Sequence, residues 1–274
     1  MNDQLDSVKR LSRDLAKSGA NLTRDEARYL VDAYYQRQDA RIRAQGQLRS
    51  VVQGVDDAPP ATLAWLMENE TVLENQIKRV LDSFSMASQV GRWSRDVCGI
   101  GPVSAAGLIA HIDISKCPTA GHIWSFAGLN PTMKWNKGEK RPWNAELKTL
   151  AWKIGESFVK VKGHEADVYG KIYEQRKVYE QERNARGEYA DQAKAMLEAK
   201  KFRADTKAKA AYEKGILPDG HVHARAKRYA VKLFLAHWHE VAYREHFGTE
   251  PPLPYALAIL GHAHAIHPSR RAAA

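Results

Sequence analysis

One short stretch limits what this chain can fold into more than any other: Asp96-Val97-Cys98-Gly99-Ile100-Gly101-Pro102-Val103-Ser104-Ala105-Ala106-Gly107-Leu108-Ile109. Two glycines around one apolar residue permit a tight turn and close backbone approach. Pro102 falls where a second helix would begin, the position that tolerates a missing N–H. Behind it, Ala105, Ala106 and Gly107 let another helix pack closely. Helix, glycine turn, helix is the pattern of a helix-hairpin-helix motif. Free N–H groups at Gly99, Ile100 and Gly101, beside a positive helix end, would suit a phosphate. Such contacts hold a backbone and read no sequence. A Gly-Ile-Gly turn would also serve any helix–helix corner, so the surrounding residues carry weight.

Those surroundings predict an all-α chain: a long helical hairpin, a compact helix-hairpin-helix domain and a charged helical insertion. Thr23 followed by Asp25 and Glu26 is a helix start, with a capping hydroxyl and acidic residues in the first turn. Leu30, Val31, Tyr34, Ile42, Leu48 and Val51 continue that helix to about Val52. A break at residues 55–60 ends in Pro59-Pro60, and Leu63, Leu66, Val72, Ile77, Val80 and Leu81 mark a second helix over residues 61–85. Residues 1–89 are thus expected to form a hairpin that serves as scaffold or dimerisation element. Residues 90–162 are the expected core, 163–220 a charged arm broken near Asn184 and Gly215, and 221–274 a C-terminal helix with a His- and Pro-rich tail. The helix is expected over residues 223–247.

The formal net charge of +10 favours a polyanionic partner, with a merely basic surface as the alternative. The basic residues concentrate in places. After Asn130-Pro131 a loop carries Lys134, Trp135, Lys137, Lys140 and Arg141, and Lys148 projects from the helix behind it. Such cations can clamp phosphates while indoles stack on bases. Of Trp124, Trp135, Trp143 and Trp152, Trp135 is the expected exposed one. In the last helix Arg225, Arg228 and Lys232 fall on one stripe, opposite Ala230, Phe234, His237 and Val241. DNA is therefore the expected partner, with structured RNA open on the same charge argument.

Gly99-Ile100-Gly101-Pro102, then Phe126-Ala127-Gly128-Leu129 with Pro131, the basic loop, and Asn144 with Leu147 and Leu150 resemble the C-terminal domain of the insertion-sequence one-ten family of transposases. The similarity spans residues 90–161 and returns more weakly at 225–247. It implies a DNA recombination function guided by a structured RNA. In the family a RuvC-like domain with an Asp/Glu tetrad accompanies this domain, and a serine here is the proposed nucleophile. The present chain departs from both. Its first 90 residues read as helices without the RuvC-like strands, and the loop after Pro131 has no serine, which leaves Thr132 as the nearest hydroxyl. The resemblance therefore implies a stand-alone phage or mobile-element version of the C-terminal half. A RuvC-like nuclease partner is an open alternative, and divalent metal enters only with that catalytic reading.

Eleven histidines cluster late. His239, His246, His262 and His264 are candidate metal ligands, although their spacing is looser than a zinc signature and hydrogen-bonding roles compete. Cys98 and Cys117 form no CxxC pair, so neither a disulfide framework nor a cysteine zinc site is expected. The polar start of the chain has no signal-peptide core, and no apolar run approaches the ~20 residues of a membrane span. A cytoplasmic protein without membrane partners, acting as a homodimer, is the expectation.

Overall fold

The protein is described here by a computed structural model covering residues 8–52, 60–203 and 205–252. Among these residues every regular element is helical: α1 Arg13–Lys17, α2 Arg24–Val51, α3 Ala61–Met86, α4 Gln89–Asp96, α5 Pro102–His111, α6 Ala120–Phe126, α7 Ala145–Val161, α8 Tyr169–Ala185, α9 Ala190–Ala199, α10 Lys207–Glu213 and α11 Asp219–Phe247. The all-α expectation holds. None of these helices is long and apolar enough to cross a membrane. The chain divides into two compact units, one comprising Met1–Asp96 with Ile100–Asp113, the other Val97–Gly99 with Ile114–Ala274.

In the first unit α2 starts where local chemistry requires. The Thr23 hydroxyl accepts from the Glu26 N–H at 3.3 Å, and the Glu26 carboxylate accepts from the Thr23 N–H at 2.7 Å. This reciprocal cap satisfies two otherwise orphaned donors. The helices α2 and α3 pair along a seam that changes character along its length. At one end Ala27, Val31, Leu81 and Phe84 close around Val103, Ala106 and Ala110 of α5. Further along, charge replaces apolar contact: Arg37 meets Glu70 at 3.1 Å and Arg41 meets Glu74 at 2.6 Å. Asn69 and Gln76 of α3 accept from the Val8 and Leu11 N–H groups, so the segment before α1 runs along the hairpin.

The small residues of α5 bury themselves against α2 and α3, and this compact unit includes Ile100–Asp113. Small side chains permit the close approach, and the residues that receive them, Ala27 and Val31 of α2 and Leu81 and Phe84 of α3, lie beyond the reach of any local pattern.

The second unit is built on α6, α7, α8 and α11. Ile123, Leu147, Ile154, Phe158, Phe234, Leu235 and Trp238 are fully buried. Phe158 stacks on Tyr169 with ring centres 5.0 Å apart, and Phe234 meets both edge-on. The charged segment after residue 163 packs within this unit. Its α8 lies along α11, while Tyr189, Ala193, Tyr212, Leu217 and Val222 form a small core of their own. The last helix begins at Asp219, after Pro218, four residues earlier than the sequence reading places it. It ends at Gly248, whose left-handed φ of 70° lets its N–H reach the Arg244 carbonyl.

Candidate nucleic-acid interface

The glycine turn is held from behind. Gly99 has a φ of +92°, and an added Cβ would lie 3.1 Å from a Val161 methyl and 3.3 Å from the Ser157 hydroxyl. The Ser157 hydroxyl donates to the Gly99 carbonyl at 2.6 Å. Arg95 donates to the Ile100 carbonyl at 2.8 Å while also pairing with Asp82. Both carbonyls are thus committed to the protein. Ile100 is 3% exposed, so its side chain anchors the turn and only its backbone could meet a ligand. Gly101 caps α5 without a side-chain hydrogen bond, and Pro102 takes the first helical position as expected.

A second group of residues lies wholly in the second unit. Lys148 projects from the first turns of α7, with its ammonium 4.1 Å from the Trp143 ring centre. Gly128 makes this stack possible: at φ +63° it passes so close that a Cβ would sit 2.9 Å from both the Lys148 stem and the Trp143 ring. Lys232 of α11 stands 4.3 Å over Trp124, and the Trp124 indole N–H donates to the Lys232 carbonyl at 2.9 Å. Arg141 lies 5.0 Å from the Trp135 ring. Each cation therefore rests on an indole face, which attracts it electrostatically without cancelling its charge.

The electrostatics of this group point one way. The Lys148 pKa is lowered by burial first, then by the charges of Arg141 and Arg228. Burial and Arg228 lower that of Lys232. Burial and Arg225 lower that of Arg228, against a smaller opposing pull from Glu180. His221 is held below its usual value by burial and then by Arg228, Arg225 and Lys200. Like charges are crowded here, and among the described residues no carboxylate forms an ion pair with Arg141, Lys148, Arg228 or Lys232.

The other residues singled out in the sequence separate into distinct roles. Arg225 is turned inward: it donates to Glu180 at 2.7 Å and Gln192 at 3.1 Å, and stacks 4.4 Å from Tyr189. Glu180, 1% exposed, also receives Arg176 and the Tyr189 hydroxyl. Arg225 is half-buried, and its guanidinium is committed to Glu180, Gln192 and Tyr189. Lys134, Lys137 and Lys140 are exposed on the loop after Pro131, which is braced by a hydrogen bond from the Trp135 indole to the Glu139 carbonyl. Thr132 donates its hydroxyl proton to Asn130 at 2.8 Å, closing a turn rather than facing a base.

Four histidines of α11 act as hydrogen-bonding groups. His237 pairs with the Tyr169 hydroxyl at 2.7 Å, His223 with Tyr173 at 2.8 Å and His221 with Tyr212 at 3.1 Å. The ring of His239 is bound to the Cys117 carbonyl at 2.8 Å. His237 and His239, expected on different sides of their helix, are both buried because α11 is covered on more than one side. His246 packs edge-on against Phe247. Among the described residues no three metal-ligating side chains come together. His262 and His264 lie outside the described residues.

The residue that sequence reasoning missed is Trp152. It is 57% exposed, against 38% for Trp135, which the sequence reading favoured. A signal existed. Leu147, Leu150, Ile154 and Phe158 define the inward stripe of α7, and residue 152 lies off it.

Residues 95–141 match the family described as Transposase IS116/IS110/IS902 family. The matched segment includes the glycine turn, α5, α6 and the basic loop through Arg141. It bears out the resemblance to the C-terminal-type domain of these transposases over that stretch. Neither the curated proteins nor the solved structures give a match to this chain.

Proposed function

We propose that this chain is a DNA-binding protein of transposition-related function, and that it grips the phosphate backbone through Arg141, Lys148, Arg228 and Lys232. The observation that carries the reading is the crowding of these cations without a paired carboxylate. Folding does not neutralise them, so a polyanion that does so gains both the Coulomb energy and the release of its own counterions. The indoles stacked on Arg141, Lys148 and Lys232 fix those side chains in advance and reduce the ordering cost of binding. Lys134, Lys137 and Lys140 add charge on an exposed loop at the border of this group. The N–H groups of Gly99, Ile100 and Gly101 remain candidates for a separate phosphate contact.

The test is binding of labelled duplex DNA by the intact chain and by a Lys148→Gln, Arg228→Gln, Lys232→Gln variant, with and without magnesium. A control variant replaces exposed Lys171 and Lys194 of α8 and α9. The variant is expected to lose most affinity and the control little. Equal loss in both would reduce the site to generic basicity, metal-dependent strand cleavage would put catalysis first, and stronger binding of structured RNA would reassign the partner. The homodimer belongs to this same reading. Ile42 of α2 and Leu66 of α3 are exposed apolar residues on the hairpin and suit a second copy. Sedimentation should show a dimer that Ile42→Glu weakens.

A further inference from the structure

The assigned cations would hold any DNA, but one neighbour favours a particular form of it. Trp152 sits four residues after Lys148 on α7, so the two side chains project from one helix face. Its ring is the most exposed indole among the described residues. Lys227 of α11 lies 5.3 Å from the ring centre. That lysine is itself engaged by Glu156, which pins its stem across α7 beside the indole. An exposed tryptophan costs the folded protein apolar contact with water, and no described aromatic ring stacks upon this one. A flat apolar face one helical turn from Lys148, which no described carboxylate pairs, matches the chemistry of an unpaired base beside its phosphates.

We propose that Trp152 is a stacking platform for an unpaired base, and that the substrate form recognised here is single-stranded or locally opened DNA. This inference rests on the preceding reading of the cation cluster as a phosphate site. A duplex keeps its bases stacked on one another, so it can reach the cations but not the indole face. An open strand can use both. Stacking is sequence-tolerant because every base has a π-face. The site would therefore discriminate strand state, not sequence.

The experiment compares binding of one labelled DNA strand, and of the duplex made from it, by the intact chain, by Trp152→Leu, by Trp152→Phe and by the triple cation variant, after circular dichroism has checked each fold. Trp152→Leu is expected to lose about tenfold in affinity for the single strand, with duplex affinity changed by less than about twofold. Trp152→Phe should restore most of the loss, because a smaller ring still stacks. An unchanged single-strand affinity in Trp152→Leu, or an equal loss for strand and duplex, overturns the platform. If the triple variant loses both ligands while Trp152→Leu loses neither, the cation site stands and the platform alone fails. If the triple variant keeps both, the underlying reading fails. Tighter binding of the same strand made as RNA overturns the assignment to DNA.

Discussion

Glu180 shows how a charged residue in this chain serves stability. Burial acts to raise its pKa, yet hydrogen bonds from Tyr189, Arg225 and Arg176 outweigh burial and leave it below the ordinary value of 4.5. A carboxylate with a depressed folded pKa contributes stability above its unfolded pKa, and that contribution is lost as pH falls through the folded value. Thermal melting should therefore show an acid-side loss below about pH 4.5 that Glu180→Gln flattens. Arg225→Ala should cost about 3 kcal/mol in stability, because it strips a partner from a buried charge. Urea unfolding measures it, and a cost near zero would mean that Arg225 is a surface residue after all. The histidines act at a higher pH. Burial lowers the pKa of His221, His223 and His239 from 6.5. The unfolded chain then binds more protons just below pH 6.5, so the melting temperature should fall as pH drops from there. Arg225 also marks a limit of sequence reading. Its place on a basic stripe with Arg228 and Lys232 was legible, but the Glu180 that claims it lies 45 residues away.

At the scale of elements, caps and turns were legible because their chemistry is local. Thr23 and Glu26 fix the start of α2, Pro102 the start of α5, and the run from Leu147 to Phe158 the inward face of α7. The polar part of the α2–α3 seam was not legible, since Glu70 and Glu74 look like solvated residues until Arg37 and Arg41 of the other helix meet them. The two glycines of the turn look alike in sequence and differ in the structure. Gly99 has a positive φ and neighbours closer than ordinary van der Waals contact to an added Cβ, whereas Gly101 has an ordinary φ of −88° and open space where a Cβ would go. Gly99→Ala should cost more than about 1 kcal/mol, and Gly101→Ala should be nearly neutral. Chemical denaturation of the two single variants checks the difference.

For the whole molecule, the net charge of +10 states only that a polyanion is welcome. The structure separates cations that folding consumes, such as Arg37, Arg41, Arg176 and Arg225, from those it leaves crowded and unpaired. The segment shared with transposases ends at Arg141, while Lys148, Arg228 and Lys232 lie beyond it. The central claim is that these unpaired cations neutralise phosphates. The most direct measurement is the dependence of duplex-DNA affinity on salt concentration, for the intact chain and for Lys148→Gln, Arg228→Gln, Lys232→Gln. Each phosphate contact removed should lower the slope of log affinity against log salt by about 0.9. The account predicts a slope shallower by about two to three in the triple variant. Parallel lines for the two proteins would show that the cluster does not touch phosphate, and would contradict it.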